Sequence, residues 1–250
     1  MFKAAVPLIV SSLIVLTACS SNYNQDEVPD LSAQELYSDA QAAMATGDFG
    51  KARRYLETID SRYPFGEITD QIQLDLIYVY YKTRENAMTS AAITRYMRLN
   101  PNSQYSDYVI FMKGLNEMQK RGDIIQDFLG LNRSQKDPSE YYEAIKTFKN
   151  FILTYPHSPY VKDARQRIMY IKDQLAEREF HIAEYYFERE AFLSSIRHCQ
   201  SILYSYRDTR YLPQALTLMS DSYDRLGLKQ AAENTRRVAR ASFKEEELEL

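Results

Sequence analysis

The 250-residue sequence sets 31 Lys and Arg against 34 Asp and Glu, so it lacks the basic stripe that nucleic-acid binding selects. Its two cysteines are Cys19 and Cys199, and assigning either to other chemistry leaves no intrachain disulfide. Seven glycines and eight prolines beside 21 tyrosines describe a chain poor in helix breakers, which favours an all-α fold.

The chain opens on Met1-Phe2-Lys3 and an apolar run from Ala4 to Leu16, too short to span a bilayer and typical of an export signal. Leu16-Thr17-Ala18-Cys19 resembles the bacterial lipobox. That resemblance implies a signal peptide over residues 1–18 and N-acyl and S-diacylglycerol lipid on Cys19. Ser20, where an Asp would imply retention at the inner membrane, implies the outer membrane. Several acyl chains anchor firmly, because each buried CH₂ contributes about 0.8 kcal/mol. Residues 19–30, polar and without periodicity, read as a flexible tether. No later stretch reaches about 18 continuous apolar residues.

From residue 31 onward the pattern is helical. Leu36, Ala40, Gly47 and Ala52 are matched 180 residues later by Leu216, Ser220, Gly227 and Ala232. This resembles the tetratricopeptide repeat, a helix-turn-helix unit of about 34 residues. The small residue lets helix A approach helix B, the glycine ends helix A in a left-handed cap, and the alanine fills the crossing. Unit ends recur at Tyr63-Pro64, Asn100-Pro101, Tyr155-Pro156 and Tyr206-Arg207. After the last three, Ser103, Ser158 and Thr209 are expected to cap the next helix, and Tyr105, Tyr160 and Tyr211 follow. These marks predict a right-handed solenoid of about five repeats over 31–250: 32–65, 69–101, 102–157, 158–207 and 209–243. The third carries an inserted loop at 120–137. The stretch from Val161 to Glu190 contains no breaker, which predicts one long helix.

Several stretches together resemble one family within this repeat class. They are Glu27-Val28-Pro29-Asp30 after the lipobox, Ser61-Arg62-Tyr63-Pro64-Phe65-Gly66, Gln73-Leu74-Asp75-Leu76-Ile77-Tyr78, and Arg98-Leu99-Asn100-Pro101. The inserted Asp127-Phe128-Leu129-Gly130-Leu131-Asn132-Arg133-Ser134 with Asp137-Pro138 is the most diagnostic, and Ala183-Glu184-Tyr185-Tyr186 agrees. The chain is similar to the outer-membrane assembly lipoproteins of the BamD (ComL, YfiO) type, tetratricopeptide subunits of the β-barrel assembly machine, the BAM complex. Departures are Arg207 in place of proline and the acidic end, Lys244 to Leu250. The resemblance implies a lipid-anchored scaffold without catalytic activity on the periplasmic face of the outer membrane. Its implied partners are the POTRA domains of the barrel-forming subunit BamA, other BAM lipoproteins, and the C-terminal targeting strand of unfolded outer-membrane β-barrel proteins. A tetratricopeptide adaptor that regulates a periplasmic protease or a cell-wall synthase is the alternative.

The residues themselves offer no catalytic or metal constellation. His157, His181 and His198 are far apart and no HExxH or CxxC accompanies them. His198 and Cys199, as helix neighbours, point about 100° apart, so Cys199 reads as a small core residue. No cofactor is expected beyond the lipid on Cys19. In the tetratricopeptide class the inner wall comes from helix-A positions two, five, nine, twelve and thirteen. Counting back from Gly47 gives Gln34, Tyr37, Gln41 and Met44 in repeat one, counting back from Pro101 gives Leu74, Tyr78, Tyr81 and Lys82 in repeat two, and continuing past Pro101 gives Tyr108 and Met112 in repeat three. A wall of Tyr and Met suits an extended client peptide, with Tyr37, Tyr78 and Tyr108 as an aromatic ladder and Lys82 or a nearby Arg as receiver of a terminal carboxylate. Arg197 and His198, a basic pair among apolar residues, are the expected partner-binding residues in the C-terminal half.

Overall fold

The structure, a computed structural model, describes residues 28–65, 68–119 and 138–243. The export signal, Cys19, most of the tether, the inserted loop and the acidic end lie outside these residues. Among the described residues the secondary structure is ten α-helices and no strand. Two compact units divide the chain, Met1–Gly66 and Glu67–Leu250.

The first unit holds α1 (Ala33–Thr46) and α2 (Phe49–Arg62), packed on each other. A capping box starts α1: the Glu35 N–H donates to Ser32 Oγ, and the Ser32 N–H and hydroxyl donate back to the Glu35 carboxylate at 3.0 and 2.7 Å. Those two donors hold the Glu35 carboxyl below its usual range. Leu36, Ala40, Ala52, Leu56 and Ile59 are fully buried.

The second unit holds α3 (Thr69–Lys82), α4 (Asn86–Leu99), α5 (Ser106–Gln119), α6 (Ser139–Thr154), α7 (Val161–Glu188), α8 (Phe192–Ser205), α9 (Leu212–Arg225) and α10 (Lys229–Ser242). Each helix packs on the next, and α3 also touches α5 as α7 touches α9. Contacts to the next helix and the next but one are the packing of a tetratricopeptide array. The long helix expected after Val161 is α7, with 28 residues.

Four A-to-B turns share one backbone geometry. Gly47 (φ 81°), Arg84 (φ 61°), Glu190 (φ 61°) and Gly227 (φ 74°) all take the left-handed conformation. In each case the following N–H (Asp48, Glu85, Ala191, Leu228) closes on the carbonyl five residues back (Ala43, Tyr80, Tyr186, Tyr223) at 2.9 Å. The glycine signal in the sequence therefore marked two of four equivalent turns. The small residue seven positions earlier is Ala40 in α1, Ala183 in α7 and Ser220 in α9, all buried, while α3 places Ile77 there. In each B helix the residue ten before the helix end is fully buried: Ala52, Thr89, Ala144, Ser195 and Ala232.

The expected Ser/Thr caps take a different form. Ser103 Oγ and Ser158 Oγ accept the N–H two residues on, from Tyr105 at 3.0 Å and Tyr160 at 3.3 Å. Both hydroxyls brace the turn ahead of the helix. Thr209 instead donates to the Tyr206 carbonyl, and α7 and α9 begin without a side-chain cap. A serine or threonine two residues after the stop falls two residues before the N-cap position, too early to reach the helix's own free N–H groups.

Candidate functional site

The second unit has an open recess of about 380 Å³, walled by three helix starts. The first turns of α3 supply Gln71, Leu74 and Asp75. The start of α5 supplies Tyr105, Asp107 and Tyr108, and the turn before α7 supplies Pro159 and Tyr160. The braced turns explain two of the three tyrosines: Ser103 and Ser158 fix the chain just ahead of Tyr105 and Tyr160. Ser158 Oγ also donates to Asp107 Oδ2 at 2.7 Å, while Asp107 Oδ1 accepts the Tyr108 N–H at 2.7 Å. Asp75 Oδ1 accepts from Gln71 Nε2 at 2.9 Å. Tyr160 stacks on Phe111, with centroids 4.9 Å apart and planes at 12°, and lies 5.9 Å from Tyr108. Burial pushes the Tyr108 phenol well above its usual range, helped by neighbouring Tyr160, Asp75 and Tyr78. The recess is thus aromatic and carries negative charge.

Two of the sequence-derived groove residues, Leu74 and Tyr108, line this recess. Leu74 is nearly closed off from solvent and forms part of the floor. Tyr78 is more exposed, and Lys82 Nζ lies 6.0 Å from the Tyr78 ring centroid, away from the recess lining. Tyr81 packs partly buried against the core. Met112, 3% exposed, belongs to the core and presents no groove surface. In the first unit Tyr37 and Met44 are half-buried on α1 and Gln41 is exposed.

Counting in repeat three needs a correction. Ile68 precedes Arg84 by sixteen residues and Tyr211 precedes Gly227 by sixteen, and Tyr105 holds the same place before α5. This register puts Tyr108 at position two, equivalent to Gln71, and Phe111 at position five, equivalent to Leu74 and Tyr37. Tyr108 and Tyr37 are therefore not equivalent, and Met112 falls on the buried side. Forward counting from Pro101 missed this because the inserted segment occupies the place of the third A-to-B turn. Gln71, Asp75, Tyr105, Asp107, Pro159 and Tyr160 were missed as site residues. For Tyr105 and Tyr160 the signal was the recurrence of tyrosine four residues after the last three unit ends, legible only as repeat punctuation.

On α8, Arg197 is exposed and His198 is half-buried. His198 Nδ1 sits 2.8 Å from Glu179 Oε2 on α7, and its ring stacks on Tyr186 at 5.6 Å. Cys199 is buried beside them, its thiol pushed up to about 12 by that burial, so it carries almost no thiolate at neutral pH. Among the described residues no three His, Cys, Asp or Glu side chains gather to hold a metal ion, and no helix is long and apolar enough to cross a membrane.

Paired helices with this turn geometry and packing define the class, a tetratricopeptide-type helical-repeat protein. The YfiO family, described as outer membrane lipoprotein, matches residues 29–238, and the chain belongs to it. Three proteins named outer membrane protein assembly factor BamD are similar along most of their length. That of Vibrio cholerae is 38% identical, covering 91% of this chain and 93% of its own. That of Pasteurella multocida is 32% identical, covering 94% and 89%. That of Neisseria meningitidis serogroup A is 32% identical, covering 94% and 90%.

Proposed function

We propose that this protein is a non-catalytic scaffold of the outer-membrane protein assembly machine, held on the periplasmic face of the outer membrane by lipid on Cys19. It binds the POTRA domains of the barrel-forming subunit BamA and other lipoproteins of the complex, and it receives the C-terminal targeting segment of unfolded β-barrel proteins. The carrying observation is the match to outer-membrane assembly factors over nine-tenths of the chain. The lipobox supports the anchor. The recess between α3, α5 and α7 supports client binding, because a helical-repeat wall of tyrosines gives an extended peptide large contact area at low entropy cost. Leu74, Tyr78 and Tyr108 are the client-contacting residues in this unit, and Arg197 on α8 faces a partner.

Photo-crosslinkers at positions 78 and 108 should trap a synthetic peptide bearing a client C-terminal strand. One at Lys149, exposed on α6, should not. Equal labelling at all three positions removes client binding from this surface.

A further inference from the structure

The recess has a charge that the client reading leaves unused. Its lining contains two carboxylates, three phenols, an amide, a leucine and a proline, and no Lys or Arg. Asp107 spends both oxygens on neutral donors, the Ser158 hydroxyl and the Tyr108 N–H. These hydrogen bonds fix its orientation and leave its negative charge in place. The rings are fixed as well: Tyr160 by stacking on Phe111, Tyr108 by burial against Tyr160. Tyr105, part-exposed at the rim, presents a further aromatic face.

We infer that this recess seats one cationic side chain, an arginine in preference to a lysine, from an extended polypeptide bound along α3 and α5. The inference rests on the client-binding reading and adds the chemistry that the recess selects. A planar guanidinium stacks on tyrosine and pairs with carboxylate in the same pose. About 380 Å³ lies at the small end of ligand pockets, roughly 300–1,000 Å³, and fits one long side chain with little room for more. A terminal carboxylate fits worst, since Asp75 and Asp107 both oppose it. The carboxylate end of a client, if it binds this unit, lies outside the recess. A calcium-like ion wants six or more oxygen ligands, more than two carboxylates among aromatic rings provide.

The test uses the full lipidated chain in detergent and fluorescein-labelled extended peptides read by anisotropy. One peptide carries a single arginine between alternating aromatic and polar residues. Its twin carries citrulline, the neutral isostere, at that position. The arginine peptide should bind about tenfold more tightly, with the gap shrinking as salt rises. Asp107→Asn should close the gap between the twins, and Asp75→Asn should narrow it, with melting temperatures recorded for both variants. A folding defect weakens both peptides together and leaves their ratio intact. Equal binding of the twins to the unmodified chain overturns the cation site and leaves client binding standing. A gap that survives in both variants at unchanged melting temperature overturns the assignment to this recess. Failure of both peptides to bind overturns both readings.

Discussion

The α5–α6 and α7–α8 crossings occupy corresponding places in successive repeats and are built from opposite materials. At the first, helix A offers Gly114, and a Cβ placed there would come within 2.5 Å of the Phe148 ring. Phe148 and Phe151 are fully buried, and the Phe111 ring lies about 6 Å from both. At the second, the corresponding residue is Ala183, buried in the apolar core, and α7 and α8 also share polar contacts. Glu179 on α7 contacts His198 on α8 at 2.8 Å and its own neighbour Arg178 at 3.3 Å, and His198 stacks on Tyr186. One crossing is fixed by steric wedging, and the other adds a His–Glu contact and a stacked ring to its apolar packing. The wedge spends its side chains on packing. The polar crossing uses His198 internally and leaves its neighbour Arg197 pointing to solvent.

The sharpest way to break this contrast is Gly114→Ala. The added methyl meets the side of a fully buried ring at less than contact distance, so overpacking should cost about 1–3 kcal/mol, read as a lower melting temperature. Phe148→Leu also destabilises by itself, but the pair of substitutions should cost less than the sum of the singles, because the smaller side chain vacates the space the methyl needs. Additive losses would show that Gly114 and Phe148 do not oppose each other. The matching change at the polar crossing, Ala183→Gly, leaves the His198 contact with Glu179 untouched and should cost only about 1 kcal/mol of helix propensity.

The second comparison lies within α8 itself. His198→Ala removes the partner of Glu179 and a stacked ring, and should cost about 1–2 kcal/mol of stability. Arg197→Glu, one residue away and exposed, should leave stability within about 0.5 kcal/mol while weakening capture of the barrel-forming subunit at moderate salt. The two outcomes separate a structural residue from a partner-facing one. If Arg197→Glu leaves capture unchanged, Arg197 is not at the interface. If His198→Ala is thermally silent, the contact with Glu179 contributes nothing net.

How much was legible in the sequence follows from which signals survive in a single chain. Gly47 and Gly227 announced their turns, and counting from them placed Tyr37, Gln41 and Met44 on α1. Repeat two, whose turn lacks glycine, still came out in register: Leu74, Tyr78 and Tyr81 stand at the same distances from Arg84 as those three do from Gly47. Repeat three did not, because residues 120–137 interrupt the place where its turn belongs and Tyr108 was counted three positions late. The recess was hidden for a different reason. Its walls come from residues 71–75, 105–108 and 159–160, three helix starts that only packing brings together, and no local pattern joins Asp107 to Ser158.

The left-handed turns give the smallest and most discriminating effect, because the same backbone geometry is held by glycine in two repeats and by Arg84 and Glu190 in two others. A side chain in that conformation costs roughly 1–2 kcal/mol relative to the right-handed region, and glycine escapes this at the expense of a more flexible unfolded chain. Glu190→Gly, between α7 and α8, should therefore stabilise the second unit by no more than about 1 kcal/mol, and Arg84→Gly should act in the same direction. Gly227→Ala should destabilise by a similar amount, although open space surrounds the position a methyl would take. With steric contact absent, only the backbone conformation is left to account for a loss. Equal melting temperatures for Glu190→Gly and the unmodified chain would mean that the carboxylate at 190 contributes enough elsewhere to offset its strain. A gain at 190 together with a loss at 227 would establish that the four turns are one motif, of which two carry a backbone cost that their side chains do not remove.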